Sequence, residues 1–179
     1  MGLDKLLEQR EAAIVALWVD HIVNTYAPDS AHFYKNQKDQ FANPVGVTFS
    51  ESLAEVFTAL RTGADREVLS HHLDPVLRIR AIQAFTPAEA LAFIVDLKPI
   101  LRSQFKDVLK DKGMQKALAR FEQQVDAMLL IAFDVYSLCR EKIFELKVST
   151  ERDKLYKAFS RAGLIVDIKE EEPANDALH

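Results

Sequence analysis

MQKALARFEQQVDAMLLIAFDVYSLCREKIFELKV, Met114 to Val148, contains neither glycine nor proline, and that decides the class of the fold. Leu118, Phe121, Val125, Met128, Ala132, Val135, Cys139, Ile143 and Leu146 recur at alternating spacings of three and four, the seam of a long helix. About 35 residues at 1.5 Å each make roughly 50 Å of helix, longer than a domain of this size covers. Part of it therefore has to project or find a partner. In the middle, MLLIAF is apolar on nearly every face, which predicts that this part lies in the core and that only the ends are amphipathic. Toward the C-terminal end, Cys139, Ile143 and Leu146 continue the seam between Arg140, Glu141, Lys142, Glu145 and Lys147. An apolar stripe edged by mixed charge suits a paired helix, so a homodimer is expected. The competing arrangement is a monomer, in which a separate helix after Thr150 folds back and covers the stripe with Leu155, Tyr156 and Phe159.

Upstream, the same period repeats in shorter pieces. Leu3, Leu7, Ile14, Leu17, Trp18, Ile22 and Val23 define a helix from Leu3 to about Tyr26, ended by Pro28. A polar connection follows, with one helical turn around Phe33, and closes on the turn residues Asn43, Pro44 and Gly46. Phe49, Leu53, Val56, Phe57 and Leu60 line a second helix from Val47 to Arg61, with Gly63 just past its end. Asp65 caps a short helix from Arg66 to His72, and Asp74 before Pro75 starts another, since proline suits a first helical turn. In TPAE, Thr86, Pro87 and Glu89 spell a capping box, opening a helix to about Lys110 with Pro99 inside it at a cost of up to ~3 kcal/mol. Thr150 and Asp153 spell a second capping box, for a last helix that Gly163 stops. The fold class is all-α, a single-domain helical bundle of globin-like type with a long C-terminal helix. The expected organisation is a helical domain over 1–148, a C-terminal helix and short extension over 149–166, and a disordered acidic tail over 167–179.

Composition agrees with this class and narrows the function. Five glycines and six prolines in 179 residues are too few for a loop-rich β protein. The formal charge of -4 comes from the tail, where Asp167, Glu170, Glu171, Glu172 and Asp176 stand against Lys169. The rest is balanced and offers no source for the phosphate-neutralising term of nucleic-acid affinity. No apolar run approaches the roughly 20 residues of a membrane span, and the N-terminus has no apolar signal core. A soluble, cytoplasmic protein without membrane insertion is expected. The single cysteine, Cys139, permits no internal disulfide, and on the seam it reads as an inert core thiol.

The adjacent His71 and His72 point about 100° apart on a helix and cannot share a metal as an i, i+4 pair does. With no HExxH, phosphate loop or nucleophile elbow, no catalytic, cofactor or metal residue is assigned, and an enzyme is not expected. Arg78 and Arg80 face different directions, whereas Arg80 and Gln83 share a face. The cluster Arg78, Arg80 and Gln83 is read as structural, tying helices together in preference to holding an anion. Lys98, Arg102, Lys106 and Lys110, each four apart, form a basic stripe, a solvated face that would also serve to dock an acidic partner.

FANPVGVTF (Phe41 to Phe49) and LDPVLRIRAIQAFTPAEALAFIVDLKPILR (Leu73 to Arg102) resemble the N-terminal domain of the RsbT co-antagonist RsbRD family, over roughly Leu6 to Val148. The Asn-Pro-Val-Gly turn, the Arg-x-Arg-Ala-x-Gln block and the proline-capped helix reaching Lys98 carry the likeness. It implies an all-helical, haem-free, globin-like sensory or regulatory domain that works in signal transduction through regulatory protein partners. About thirty residues after Val148 are too few for an output domain of the usual kind, so association is the expected mode of action, with a small ligand allowed. The alternative is a haem-binding globin-like sensor.

Overall fold

The computed structural model describes residues 2–36, 39 and 41–164. Among them are six α-helices and no strand: α1 (Leu3–Val23), α2 (Pro28–Asn36), α3 (Pro44–Thr62), α4 (Arg66–Ala81), α5 (Pro87–Gln104), a 3-10 turn (Val108–Lys110) and α6 (Lys112–Arg161). The chain divides into two units, Met1–Glu141 and Lys142–His179. In the first, α1 packs on α3 and α5, and α3 on α4. Trp18, Phe49, Phe57, Leu73, Leu77, Phe93 and Phe105 are wholly buried, and Val125, Met128 and Ala132 of α6 close the core. The second unit is built on the distal part of α6. The acidic tail and most of the short extension lie outside the described residues.

Helix ends follow local chemistry. Asn43 caps α3 by accepting from the Gly46 N–H at 2.9 Å while its own Nδ2 donates to the Tyr34 carbonyl at 2.9 Å. A Cβ at Gly46 would come within 2.3 Å of Asn43 Nδ2 and 2.6 Å of the Tyr34 carbonyl, so the Asn-Pro-Val-Gly turn needs its glycine for close approach. Gly63, at φ 71°, ends α3 in the left-handed conformation, and the Ala64 N–H returns to the Ala59 carbonyl at 2.9 Å, a Schellman closure. Asp65 caps α4 through the Val68 N–H. The Thr86 capping box is complete in both directions. Asp111 accepts from the Met114 N–H at 2.8 Å and opens α6, and Gly163, at φ 68°, follows its end.

Four expectations from the sequence are corrected. Pro75 does not start a helix but lies inside α4. Leu69 and Leu73 before it and Val76, Leu77 and Arg80 after it are all buried, so burial on both sides offsets the missing hydrogen bond, and His71, whose carbonyl loses its partner, is exposed. Pro28 does not merely end α1, which stops at Val23. It occupies the first position of α2, with Asp29 in the first turn and Lys35 in the last, where proline and the helix dipole are both satisfied. Thr150 caps nothing. Its hydroxyl donates to the Leu146 carbonyl at 2.8 Å, and α6 runs through it to Arg161, so Leu155, Tyr156 and Phe159 stand farther along the same helix as the stripe they were expected to cover. Finally, MLLIAF is not buried all round. Met128, Ile131 and Ala132 are buried, but Leu130 is 68% and Phe133 51% exposed, because among the described residues α6 has partners on one side only.

Candidate functional site

Arg80 is the most unusual side chain in the core. It is fully buried, and it is reached from three directions. Its Nε donates to the Ala90 carbonyl at 2.7 Å, Nη2 to the Glu89 carbonyl at 2.7 Å and Nη1 to Thr25 Oγ1 at 2.9 Å. The guanidinium carbon lies 4.3 Å from the Phe85 ring centre, 5.6 Å from that of Tyr26 and 5.8 Å from that of Phe93. The last turn of α4 is thus bound to the first turn of α5 and to the end of α1. Burial pushes the Arg80 pKa down, against the opposing influence of Tyr26. Tyr26 in turn is pushed up by burial, with Arg80 pulling the other way. The Tyr26 hydroxyl is buried beside Arg80, and that of Tyr136 is buried without a hydrogen-bond partner among the described residues.

The other two members of the sequence cluster are elsewhere. Arg78 is exposed and pairs with Asp74 at 2.6 Å, one turn back. Gln83 is half-buried, and its backbone N–H bonds to the Arg80 carbonyl at 3.3 Å. Arg80, Arg78 and Gln83 therefore form no single site.

The basic stripe is likewise redistributed, since α5 ends at Gln104 and the wholly buried Phe105 begins a turn. Lys98 and Arg102 are on α5, whereas Lys106 lies in that turn and Lys110 in the 3-10 turn. Lys98 pairs with Asp126 of α6. Arg102 grips Glu122 of α6 through Nε at 2.6 Å and Nη2 at 2.7 Å, a fork that holds its pKa up. Arg66 of α4 pairs with Asp134, and Arg140 donates to the Ala81 carbonyl at 2.9 Å. These polar ties accompany the apolar face of α6, where the rings of Phe121 and Phe57 meet at 6.2 Å between centres. Lys106 is exposed.

Distal to the first unit, α6 carries Ile143, half-buried, and Leu146, 60% exposed. Phe144, Val148, Leu155, Tyr156 and Phe159 are exposed as well. Ile143 and Leu146, with Lys147, Thr150 and Glu151, line a shallow surface depression along one side of the helix.

The family profile described as the RsbT co-antagonist protein RsbRD N-terminal domain matches residues 12–147. The chain belongs to this family. An uncharacterized protein of Archaeoglobus fulgidus is 26% identical over 148 residues, covering 79% of this chain and 85% of that protein. No solved structure matches.

The match takes in the capped turn at Asn43, the Arg80 corner and α6 as far as Lys147. RsbRD N-terminal domains are a regulatory family and not a known family of enzymes. Among the described residues of this RsbRD domain, no three His, Cys, Asp or Glu side chains stand where they could hold a metal ion, and no helix is long and apolar enough to cross a membrane. His71 is exposed, and His72 Nδ1 lies 2.9 Å from Glu55. Cys139 is half-buried, its thiol pushed up by burial and by Asp74. Sequence reasoning missed Tyr26, Thr25, Phe85 and Phe93 around Arg80, and no spacing rule joins residues so far apart. It also passed over Glu122, whose place one residue after Phe121 was the available signal for an acid drawn under an apolar seam.

Proposed function

We propose that this RsbRD domain acts in signal transduction without catalysis, through protein association, and that its first partner is a second copy of itself. Cys139, Ile143 and Leu146 are the stripe through which α6 pairs. The observation that carries this reading is apolar surface left open along the stripe on the distal helix: Leu146 is 60% exposed and lines a shallow depression with Ile143, while Arg140, Glu141, Lys142, Glu145 and Lys147 edge the stripe with both signs of charge. A helix in a soluble protein that keeps such a row in water is marginal alone. Pairing buries it and lets the flanking charges set the register. A lone thiol and the absence of any disulfide suit a cytoplasmic setting. Lys98, Arg102 and Lys106 are a weaker surface for a regulatory partner, because the first two already hold acids of α6.

Multi-angle light scattering tests the reading. The expected result is a dimer at micromolar concentration that Ile143→Glu converts to a monomer with unchanged far-UV circular dichroism. A wild-type monomer at high micromolar concentration would sink it.

A further inference from the structure

We propose that the basic end of the first unit, gathered around the 3-10 turn, receives the acidic tail of a second copy of the chain, so that the α6 helices of a pair run antiparallel. The inference rests on the self-association proposed above and gives it a direction. From Lys106 to Arg120 the sequence sets five bases, Lys106, Lys110, Lys112, Lys116 and Arg120, against two acids, Asp107 and Asp111. All five bases are exposed. Arg10 of α1 joins them, its guanidinium carbon 5.3 Å from the centre of the Phe105 ring. Among the described residues none of these six bases enters an ion pair, whereas Arg66, Lys98 and Arg102 each hold an acid of α6. The backbone beneath them is tied down. The Val108 N–H bonds to the Phe105 carbonyl at 3.0 Å, Asp111 accepts from the Met114 N–H at 2.8 Å, and Gln115 Nε2 donates to the Leu109 carbonyl at 2.7 Å. A surface ordered beforehand loses less entropy on docking. Lys112 opens α6, whose first turn has no acid, and the helix dipole disfavours a cation there, so this charge does nothing for the helix itself.

Charge and reach name the occupant. The tail sets Asp167, Glu170, Glu171, Glu172 and Asp176 against Lys169 and accounts for the whole formal charge of -4. Its one base answers the two acids that stand among the lysines, a mixed pattern that a plain polyanion does not match. The tail follows the last turn of α6, and the basic end surrounds the first. The helix is 50 residues long at about 1.5 Å each, whereas the chain from Leu164 to Asp176 covers at most about 3.6 Å per residue. It does not return to the first turn of its own helix. On a second copy whose α6 runs the other way it meets that turn directly, and a two-fold pair makes the contact twice. The apolar stripe holds the copies together, and the charges choose their direction.

The experiment uses the full chain as the wild type, as Lys110→Glu/Lys116→Glu and as Glu170→Lys/Glu172→Lys. Sedimentation equilibrium gives the dimer dissociation constant of each and of an equimolar mixture of the two variants. In either variant alone like charges face each other, so each should dimerise about ten-fold more weakly than the wild type at low salt. In the mixture both contacts of the heterodimer are matched again, and wild-type affinity should return. Sodium chloride at about 0.5 M should erase these differences. A mixture that pairs no more tightly than its components would overturn the proposal, and that is also the result if each tail serves its own chain. Wild-type affinity in both variants would overturn it as well. The stripe is judged separately by Ile143→Glu, which breaks the dimer if the stripe holds and leaves it intact if it does not. A monomer in every sample overturns both readings.

Discussion

An arginine with no exposure to solvent is held in the core by three hydrogen bonds and three aromatic rings. Removing it leaves a cavity under Phe85 and takes the tie between α4 and α5 with it. Arg80→Ala should lower stability by about 3 kcal/mol or more, while Arg80→Met, which fills the volume without a charge, should recover part of that loss. Thermal melts of the two variants decide, and equal melting temperatures would show that packing under the rings counts for nothing. Glu89 offers a pH test. The Thr86 backbone N–H donates to its carboxylate at 2.8 Å, the first of the bonds that pull its pKa below the ordinary 4.5. A carboxyl lowered in the folded state contributes stability above its unfolded value and loses it as pH falls through the folded one. Glu89→Gln should therefore flatten the loss of stability below about pH 4.5, read from melts at descending pH, and an unchanged acid profile would refute the assignment. The capping box that sets this up was readable as Thr86, Pro87 and Glu89. The surroundings of Arg80 were not, because Tyr26, Phe85 and Phe93 gather on it only after the helices pack.

At the scale of the element, the same residue types gave opposite outcomes. Pro87 opens α5, whereas Pro75 and Pro99 sit inside helices. Each interior proline has buried residues on both sides, Leu73 and Val76 around one, Leu97 and Ile100 around the other. Each deprived carbonyl belongs to an exposed residue, His71 or Val95. Restoring an N–H at the first should help: Pro75→Ala is expected to raise stability by about 1 kcal/mol, less than the full ~3 kcal/mol penalty because the helix has already adapted. Denaturant titration checks it, and a loss of stability would mean that α3 and α4 pack only with proline in place. Thr86 and Thr150 diverge for a related reason. Thr86 lies between Phe85 and Pro87, where the chain has already left α4, while Thr150 follows an unbroken helical run and finds the Leu146 carbonyl within reach. A capping motif works only where the preceding residues are not themselves helical.

Across the whole molecule, the sequence by itself determined the all-α class, the long last helix, the stops at Gly63 and Gly163 and the family, since periodicity, end chemistry and the Asn-Pro-Val-Gly and Arg-x-Arg motifs are local features. Only the tertiary structure decided which apolar residues are buried. Leu130 and Phe133 belong to the same run as Ile131 and Ala132, but α6 is met on one side, by Phe57, Lys98, Arg102 and Arg66, and the other side stays in water. The tertiary structure also dispersed the basic stripe into ion pairs with Asp126 and Glu122, separated Arg80 from Arg78 and Gln83, and surrounded it with the rings of Tyr26, Phe85 and Phe93 from distant parts of the chain. The physical reason is one of range. Hydrogen bonds within a helix and the propensities of its ends act over about four residues, whereas burial and charge pairing depend on which helices meet, and that is fixed only when the core closes.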